Sequence, residues 1–280
     1  MPPPRIRSIF HPSDFSESSE VAFAHALKVA LVAGAELNVL HVSERGDSQW
    51  EDFPGVRQML ERWHVLPPES PRRAVPGLGI QVRKVLTQHR DPVAACLGYL
   101  EKNPTDLVVL ATHRHEGRAR WLTRSVAQPL ARESRLMTLF IPVGLEGFVS
   151  RADGSVSLRN VLVPVARAPD PAAAVHAASL TASGLERDSV KFTLLHVGDS
   201  GATPTLPLEG RDGWTWDQIT RHGDVADTIL GTAGERKADL IVMTTEGRHG
   251  FLDALRGSTT EQVLRHAACP LLAIPAARKA

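Results

Sequence analysis

The feature that most constrains this 280-residue chain is that it repeats itself. The string DLVVLATH at 106–113 returns as DLIVMTTE at 239–246, an offset of 133. The same offset carries Thr87, His89 and Asp91 onto Thr220, His222 and Asp224, and Arg124-Ser125 onto Gly257-Ser258. Further upstream the offset is 155, from Leu40-His41-Val42 to Leu195-His196-Val197, because the first half carries a longer connection after that segment. At the start, Pro12 pairs with Pro164. Self-similarity on this scale is one domain written twice, and it agrees with the roughly 150 residues expected per domain. The copies are expected to divide into 1–146 and 158–280, with 147–157 a linker where Gly147, Gly154 and polar residues interrupt the apolar periodicity.

Within each copy short apolar runs alternate with longer amphipathic stretches. Strands are expected at 6–11, 36–42, 80–86, 106–111 and 137–142, and again at 160–165, 191–197, 214–219, 239–244 and 270–275. Runs such as Leu107-Val108-Val109-Leu110 are apolar at consecutive positions, which suits parallel strands covered on both faces. Helical spacing marks 16–32, 92–102, 125–135 and 260–266, with Ser16 as an N-cap and Glu17 and Glu20 in the first turn, where the helix dipole favours negative charge. Each copy therefore reads as a doubly wound α/β domain on a five-stranded parallel sheet, with its ligand crevice beyond the C-terminal strand ends. Two connections, 43–78 and 198–213, are too long for simple turns; the first holds Trp50, Phe53 and Trp63 and is expected to form a short helix over the crevice.

Charge and composition narrow the function. Thirty-two Lys and Arg against 31 Asp and Glu leave a net charge of +1, so neither nucleic acid nor a membrane surface is the expected partner. No apolar run has the length of a signal peptide or membrane span, and the expected location is the cytoplasm. Cys96 and Cys269 lie in neither a CxxC pair nor a zinc-like spacing and read as small core hydrophobes.

The chemistry concentrates after the fourth strand. In the second copy Gly247, Gly250 and Gly257 bring bare backbone toward a ligand, and Ser258 and Thr259 stand where a helix N-terminus presents unsatisfied N–H groups, an arrangement suited to phosphate. Here the chain resembles tandem members of the universal stress protein family, and the likeness covers nearly its whole length. It rests on the opening Ile9-Phe10-His11-Pro12-Ser13-Asp14-Phe15-Ser16, the Leu-His-Val ending each second strand, and the loop leading into GSTTEQVLRHAACP at 257–270. ATP-binding members of that family carry Gly, two residues, Gly, nine residues, Gly, then Ser or Thr. Gly247, the nine residues 248–256 and Gly257-Ser258 satisfy the later part of that pattern, while Thr244 replaces the first glycine. In the first copy the same places read Ala111, Arg114 and Arg124-Ser125. The family's aspartate beyond the first strand is Asp14 in the first copy and Ala166 in the second.

The resemblance implies a stress-response regulatory protein that binds an adenine nucleotide, ATP or AMP with Mg, in its C-terminal copy. Pro164 and Val197 would lie near the base, Met243 and Thr244 at the strand end, and Gly247, Gly257, Ser258 and Thr259 around the phosphates. The loop has no Walker lysine and Ser258 no evident base, so the nucleotide is expected to be held rather than hydrolysed. Alternatives stay open: a nucleotide-independent scaffold acting through a protein partner, a slow ATP hydrolase, or an N-terminal copy that binds a metal through His11, His41, His89 and His113 or an anion through Arg114 and Arg124. Two fused copies also resemble an intramolecular version of the family's dimer, so a monomer with pseudo-twofold symmetry stands beside a homo-oligomer.

Overall fold

The computed structural model describes residues 6–44, 48–112, 126–185, 187–199, 201, 203–245 and 259–276. The first copy contributes β1 (Ser8–Pro12), α1 (Glu17–Ala33), β2 (Glu36–Ser43), α2 (Val56–Arg62), β3 (Gln81–Gln88), α3 (Pro92–Lys102), β4 (Leu107–Thr112), α4 (Ala127–Ser134) and β5 (Met137–Pro142). The second contributes β6 (Asn160–Pro164), α5 (Ala172–Gly184), β7 (Val190–Val197), β8 (Trp214–Arg221), α6 (Val225–Glu235), β9 (Leu240–Thr245), α7 (Thr259–His266) and β10 (Leu271–Pro275). The expected strands are all present, with ends displaced by at most two residues.

These ten strands form one sheet in the order β3-β2-β1-β4-β5-β10-β9-β6-β7-β8. Each copy keeps the order 3-2-1-4-5 with every pair parallel, and the halves meet through an antiparallel β5–β10 pair. The register of that seam is diagnostic. Leu139 faces Leu272, its own repeat partner, while Thr138 faces Ala273 and Phe140 faces Leu271, so each residue meets the counterpart of the other. That reciprocity is the signature of a twofold contact, here written within one chain.

Both sheet faces are covered. Ile9, Leu37 and Val109 join the apolar layer under α1, α2 and α5, whereas Phe10, Leu40, Val108 and Leu110 point into the layer that includes residues of α3, α4, α6 and α7. The pleat sends successive side chains to opposite faces, which is why these strands are apolar without alternation. The long connection after β2 does form a short helix. Val56, Met59 and Leu60 of α2 are buried in the layer under α1, and Trp63 is buried too, whereas Trp50 is 55% exposed.

Local caps fix the element starts. Ser16 Oγ accepts from the Ser19 amide at the N-terminus of α1 at 3.2 Å, and Gly34 closes the helix at φ 62°, a left-handed conformation that glycine adopts without a Cβ penalty. Asp91 caps α3 and Asp224 caps α6, so the repeated aspartate of the Thr-His-Asp pattern is a helix start in both copies. Asp106 accepts from the Arg7 and Ser8 amides at 2.7 and 3.0 Å, and Asp239 accepts from Arg159 and Asn160, both at 2.8 Å. Each of these carboxylates therefore staples the first strand of its copy to the fourth, and the strand proper begins one residue later.

The segment at 146–157 crosses the first copy rather than passing by it. Phe148 and Val149 are buried, Val149 bridges Val156, and the Trp63 indole N–H donates to the Arg151 carbonyl at 3.1 Å. His25, inside α1, donates from Nδ1 to the Val21 carbonyl at 2.8 Å and accepts at Nε2 from the Phe148 and Val149 amides, both at 3.1 Å. Gly147, at φ 69°, sits so close that an added Cβ would stand 2.4 Å from His25 Nε2.

Candidate functional site

Because β6 lies between β7 and β9, the C-terminal ends of those three strands share one rim. Pro164 ends β6 half-buried and pairs with Leu195 of β7; the next amide, Val165, donates to the Leu195 carbonyl at 2.8 Å. Val197 ends β7, half-buried against the layer under α6 and α7. Met243 is buried in that same layer and pairs with Ala273, while Thr244 pairs with Ile274 and its hydroxyl donates to the Asp170 carbonyl at 3.1 Å. The structure thus brings Pro164, Val197, Met243 and Thr244 to one rim. Thr259 opens α7, at the far end of the connection from β9. Gly247, Gly257 and Ser258 lie outside the described residues, as do Arg114, Arg124 and His113.

The turn after β6, where Ala166 stands in place of the family's aspartate, completes this rim with Arg167, which no sequence motif marks. Ala166 and Arg167 are exposed, and Arg167 Nη2 reaches the Gly201 carbonyl at 3.1 Å, linking the turn after β6 to the connection after β7. His196 Nδ1 donates to the Val165 carbonyl at 3.1 Å, so the repeated Leu-His-Val histidine holds that turn in place. Its Nε2 is buried and has no hydrogen-bond partner among the described residues.

The corresponding rim of the first copy is dressed differently. Asp14 accepts through Oδ1 from the Ser16 amide at 3.0 Å and from the Ser16 hydroxyl at 2.6 Å, so its carboxylate is engaged in shaping the entry to α1. Phe15 stands at φ 62°, a region that costs a non-glycine residue roughly 1 kcal/mol or more, and its ring stacks on His41 at 3.9 Å. Phe53, from the long connection, meets Phe15 edge-on at 5.0 Å and is itself stacked on Trp50 at 5.7 Å. Aromatic rings here occupy the rim that the second copy leaves to Ala166 and Arg167.

The described strand-end histidines of the first copy, His11, His41 and His89, have internal partners. His11 is fully buried, with Nδ1 on the Val109 carbonyl at 2.9 Å and Nε2 at 3.4 Å from Ser19 Oγ; burial pushes its pKa down to about 4. His41 Nδ1 donates to the Ser13 carbonyl at 2.7 Å, and His89 Nδ1 accepts from the Asp91 amide at 3.0 Å. Among the described residues no group of three His, Cys, Asp or Glu side chains is arranged to hold a metal ion. Cys96 and Cys269 are free and buried, and desolvation pushes each thiol up to about 12. No described helix is long and apolar enough to cross a membrane.

Comparison with known proteins agrees with this architecture. The model of the universal stress protein family matches residues 5–142 and 208–275, leaving β6, α5 and β7, with Pro164 and Val197, between the matched stretches. Universal stress protein MJ0531 of Methanocaldococcus jannaschii is 42% identical over 58 residues, which are 21% of this chain and about a third (34%) of that protein's length. A universal stress protein from Archaeoglobus fulgidus superposes with a TM-score of 0.63 at 19% identity, covering 96% of each chain. A functionally unknown protein of Pseudomonas aeruginosa PAO1, PA1789, gives 0.61 at 14% identity, over 97% of this chain and 93% of its own. With a family match over most of its length and two copies of one α/β unit sharing a sheet, the chain belongs to the universal stress protein family, as a tandem member.

Proposed function

We propose that this protein is a stress-response regulator that holds an adenine nucleotide, ATP or AMP with Mg, in its C-terminal copy, and that the division into 1–146 and 158–280 separates a copy that has lost this role from one that keeps it. The observation that supports the reading most is positional. β9 ends at Thr245 and α7 begins at Thr259, so the sequence Gly247…Gly257-Ser258 falls in a strand-to-helix connection, where backbone N–H groups and the helix dipole favour phosphate. Pro164, Val197, Met243 and Thr244 border the place where the base would lie, and Gly247, Gly257, Ser258 and Thr259 would surround the phosphates. In the N-terminal copy, Arg114 and Arg124 replace glycines of the same connection and aromatic rings occupy the rim.

Phosphate held by backbone amides is stabilised in the ground state, which favours retention over turnover. Isothermal titration with ATP, AMP and cAMP is expected to give one site per chain. Single-turnover measurement with labelled ATP and Mg is expected to recover intact ATP over many minutes. Absence of binding to all three would instead favour the scaffold reading, which the ring-filled N-terminal rim supports; phosphate release near one per second, lost in Ser258→Ala, would make the protein an ATPase.

A further inference from the structure

The first-copy rim contains an arrangement that nucleotide binding does not use. His41 Nδ1 lies 2.7 Å from the Ser13 carbonyl, and since a carbonyl only accepts, Nδ1 carries the proton. The neutral ring then presents an unprotonated Nε2, and Ser48 Oγ lies 2.9 Å from it as donor. Hydroxyl, imidazole base and an acceptor that fixes the tautomer are the three parts of an activated serine, recognised by geometry rather than by order in the chain. The second copy gives the contrast. His196 makes the same Nδ1 contact, to the Val165 carbonyl, but its Nε2 has no partner among the described residues. Among the described residues the hydroxyl is supplied only in the copy whose connection after the second strand is long.

The surroundings suit an apolar acyl group. Phe15 covers one face of the imidazole at 3.9 Å, Phe53 approaches its edge at 6.4 Å, and Trp50 extends the wall into solvent. Lys84 Nζ stands 5.7 Å from the Phe53 centroid and makes no ion pair among the described residues, adding positive charge on this side of the rim.

We propose that Ser48 and His41 form a nucleophilic dyad that takes acyl groups, aromatic or branched and apolar, from esters. Ser48 Oγ bonds to the ester carbonyl carbon as its proton passes to His41 Nε2; the carbon–alkoxide bond breaks, and the departing alkoxide takes that proton as alcohol. Water then attacks the acyl-serine, giving its proton to Nε2, from which Ser48 Oγ recovers it as the carboxylic acid leaves. Nδ1–H stays on the Ser13 carbonyl throughout and orients the ring.

The test uses the whole chain and an alkyl fluorophosphonate, with no nucleotide present, so its outcome is separate from that of the nucleotide reading. Peptide mapping is expected to find one adduct per chain, on Ser48, with a labelling rate reduced about a hundredfold in His41→Asn, whose side-chain amide nitrogen takes the place of Nδ1 and keeps a donor for the Ser13 carbonyl. An unlabelled Ser48, or a rate unchanged in His41→Asn, overturns the proposal. Ser48→Cys gives a second measurement that leaves His41 in place. Its thiol should be alkylated by iodoacetamide at neutral pH about tenfold faster than a free cysteine peptide, with Cys96 and Cys269 silent because burial keeps both protonated. A rate equal to that of the free peptide also overturns it.

Discussion

The two rims start from the same backbone and end in different chemistry. In each copy a histidine at the end of the second strand holds the turn after the first strand through Nδ1, so the scaffold of the crevice is common property. On that scaffold the first copy places Asp14, Phe15 and Phe53, with the carboxylate engaged in the helix entry and the rings stacked; the second places Ala166 and Arg167, both exposed. Scaffold residues that serve packing are kept twice, and residues that would meet a ligand are free to diverge. A repeat thus sorts its own positions into those that hold the fold and those that specialise it.

The sharpest test of this inequality is acid. Burial holds His11 and His25, both in the first copy, near pKa 4 against 6.5 when unfolded. Between those values the unfolded chain binds protons that the folded chain refuses, so stability is complete above about pH 6.5 and declines as the pH falls toward 4. Each histidine contributes about 3 kcal/mol to that loss, about 6 together. Urea melts from pH 7 to pH 4.5 should show the midpoint falling, and hydrogen exchange should find β1 and β4 opening before β6 and β9. Simultaneous opening would mean that the seam, rather than either copy, sets the cooperative unit.

Next in size is His25→Ala, expected to cost about 3 kcal/mol in urea denaturation, because it strips the Phe148 and Val149 amides of their acceptor inside an apolar layer. If the loss stays under about 1 kcal/mol, solvent reaches those amides and the crossing segment is not anchored there. Gly257→Arg, which writes the first copy's Arg124 into the second, should weaken ATP binding by about a hundredfold, near 2.7 kcal/mol, whereas Arg124→Ala should leave the calorimetric titration nearly unchanged. Equal losses would assign the nucleotide to the wrong copy. The smallest effect concerns what the copies share. Asp106→Ala and Asp239→Ala each remove a carboxylate from two strand amides and should lower stability by a similar amount, about 1 to 2 kcal/mol apiece. A large disparity would show that the staple is structural in only one copy.

Much of this was legible in the residues. Consecutive apolar positions such as 107–110 identify covered parallel strands, Ser16 is the cap that its position before Glu17 and Glu20 suggests, and the 133-residue offset lays out both copies. What stayed hidden depends on pairing across the chain. The contact of β5 with β10 is written in no local pattern, since Met137–Pro142 would pair equally well within or between molecules. Asp106 and Asp239 read as strand residues because their alternative partners lie 79 to 99 positions away. His25 looks like one more residue of an alanine-rich helix until the segment at 146–157 folds across it. On the site, adjacency at 164, 197, 243 and 244 follows from strand order, whereas the Phe15–His41–Phe53 stack required a positive φ at a phenylalanine, which no propensity scale favours.

The reciprocal register at Leu139 and Leu272 has an evolutionary consequence. Where two identical chains meet on a twofold axis, any substitution appears on both sides at once and must be compatible with itself. Here the sides are separate codons of one reading frame. Thr138 can face Ala273 without the reverse pairing being imposed, since Phe140 meets Leu271 instead. Joining also replaces an encounter between molecules by a contact whose effective concentration is set by the short segment at 146–157, so the seam does not weaken on dilution. A copy relieved of matching itself, and never separated from its counterpart, is free to lose a binding loop or to acquire a hydroxyl beside a histidine while its sister carries on unchanged.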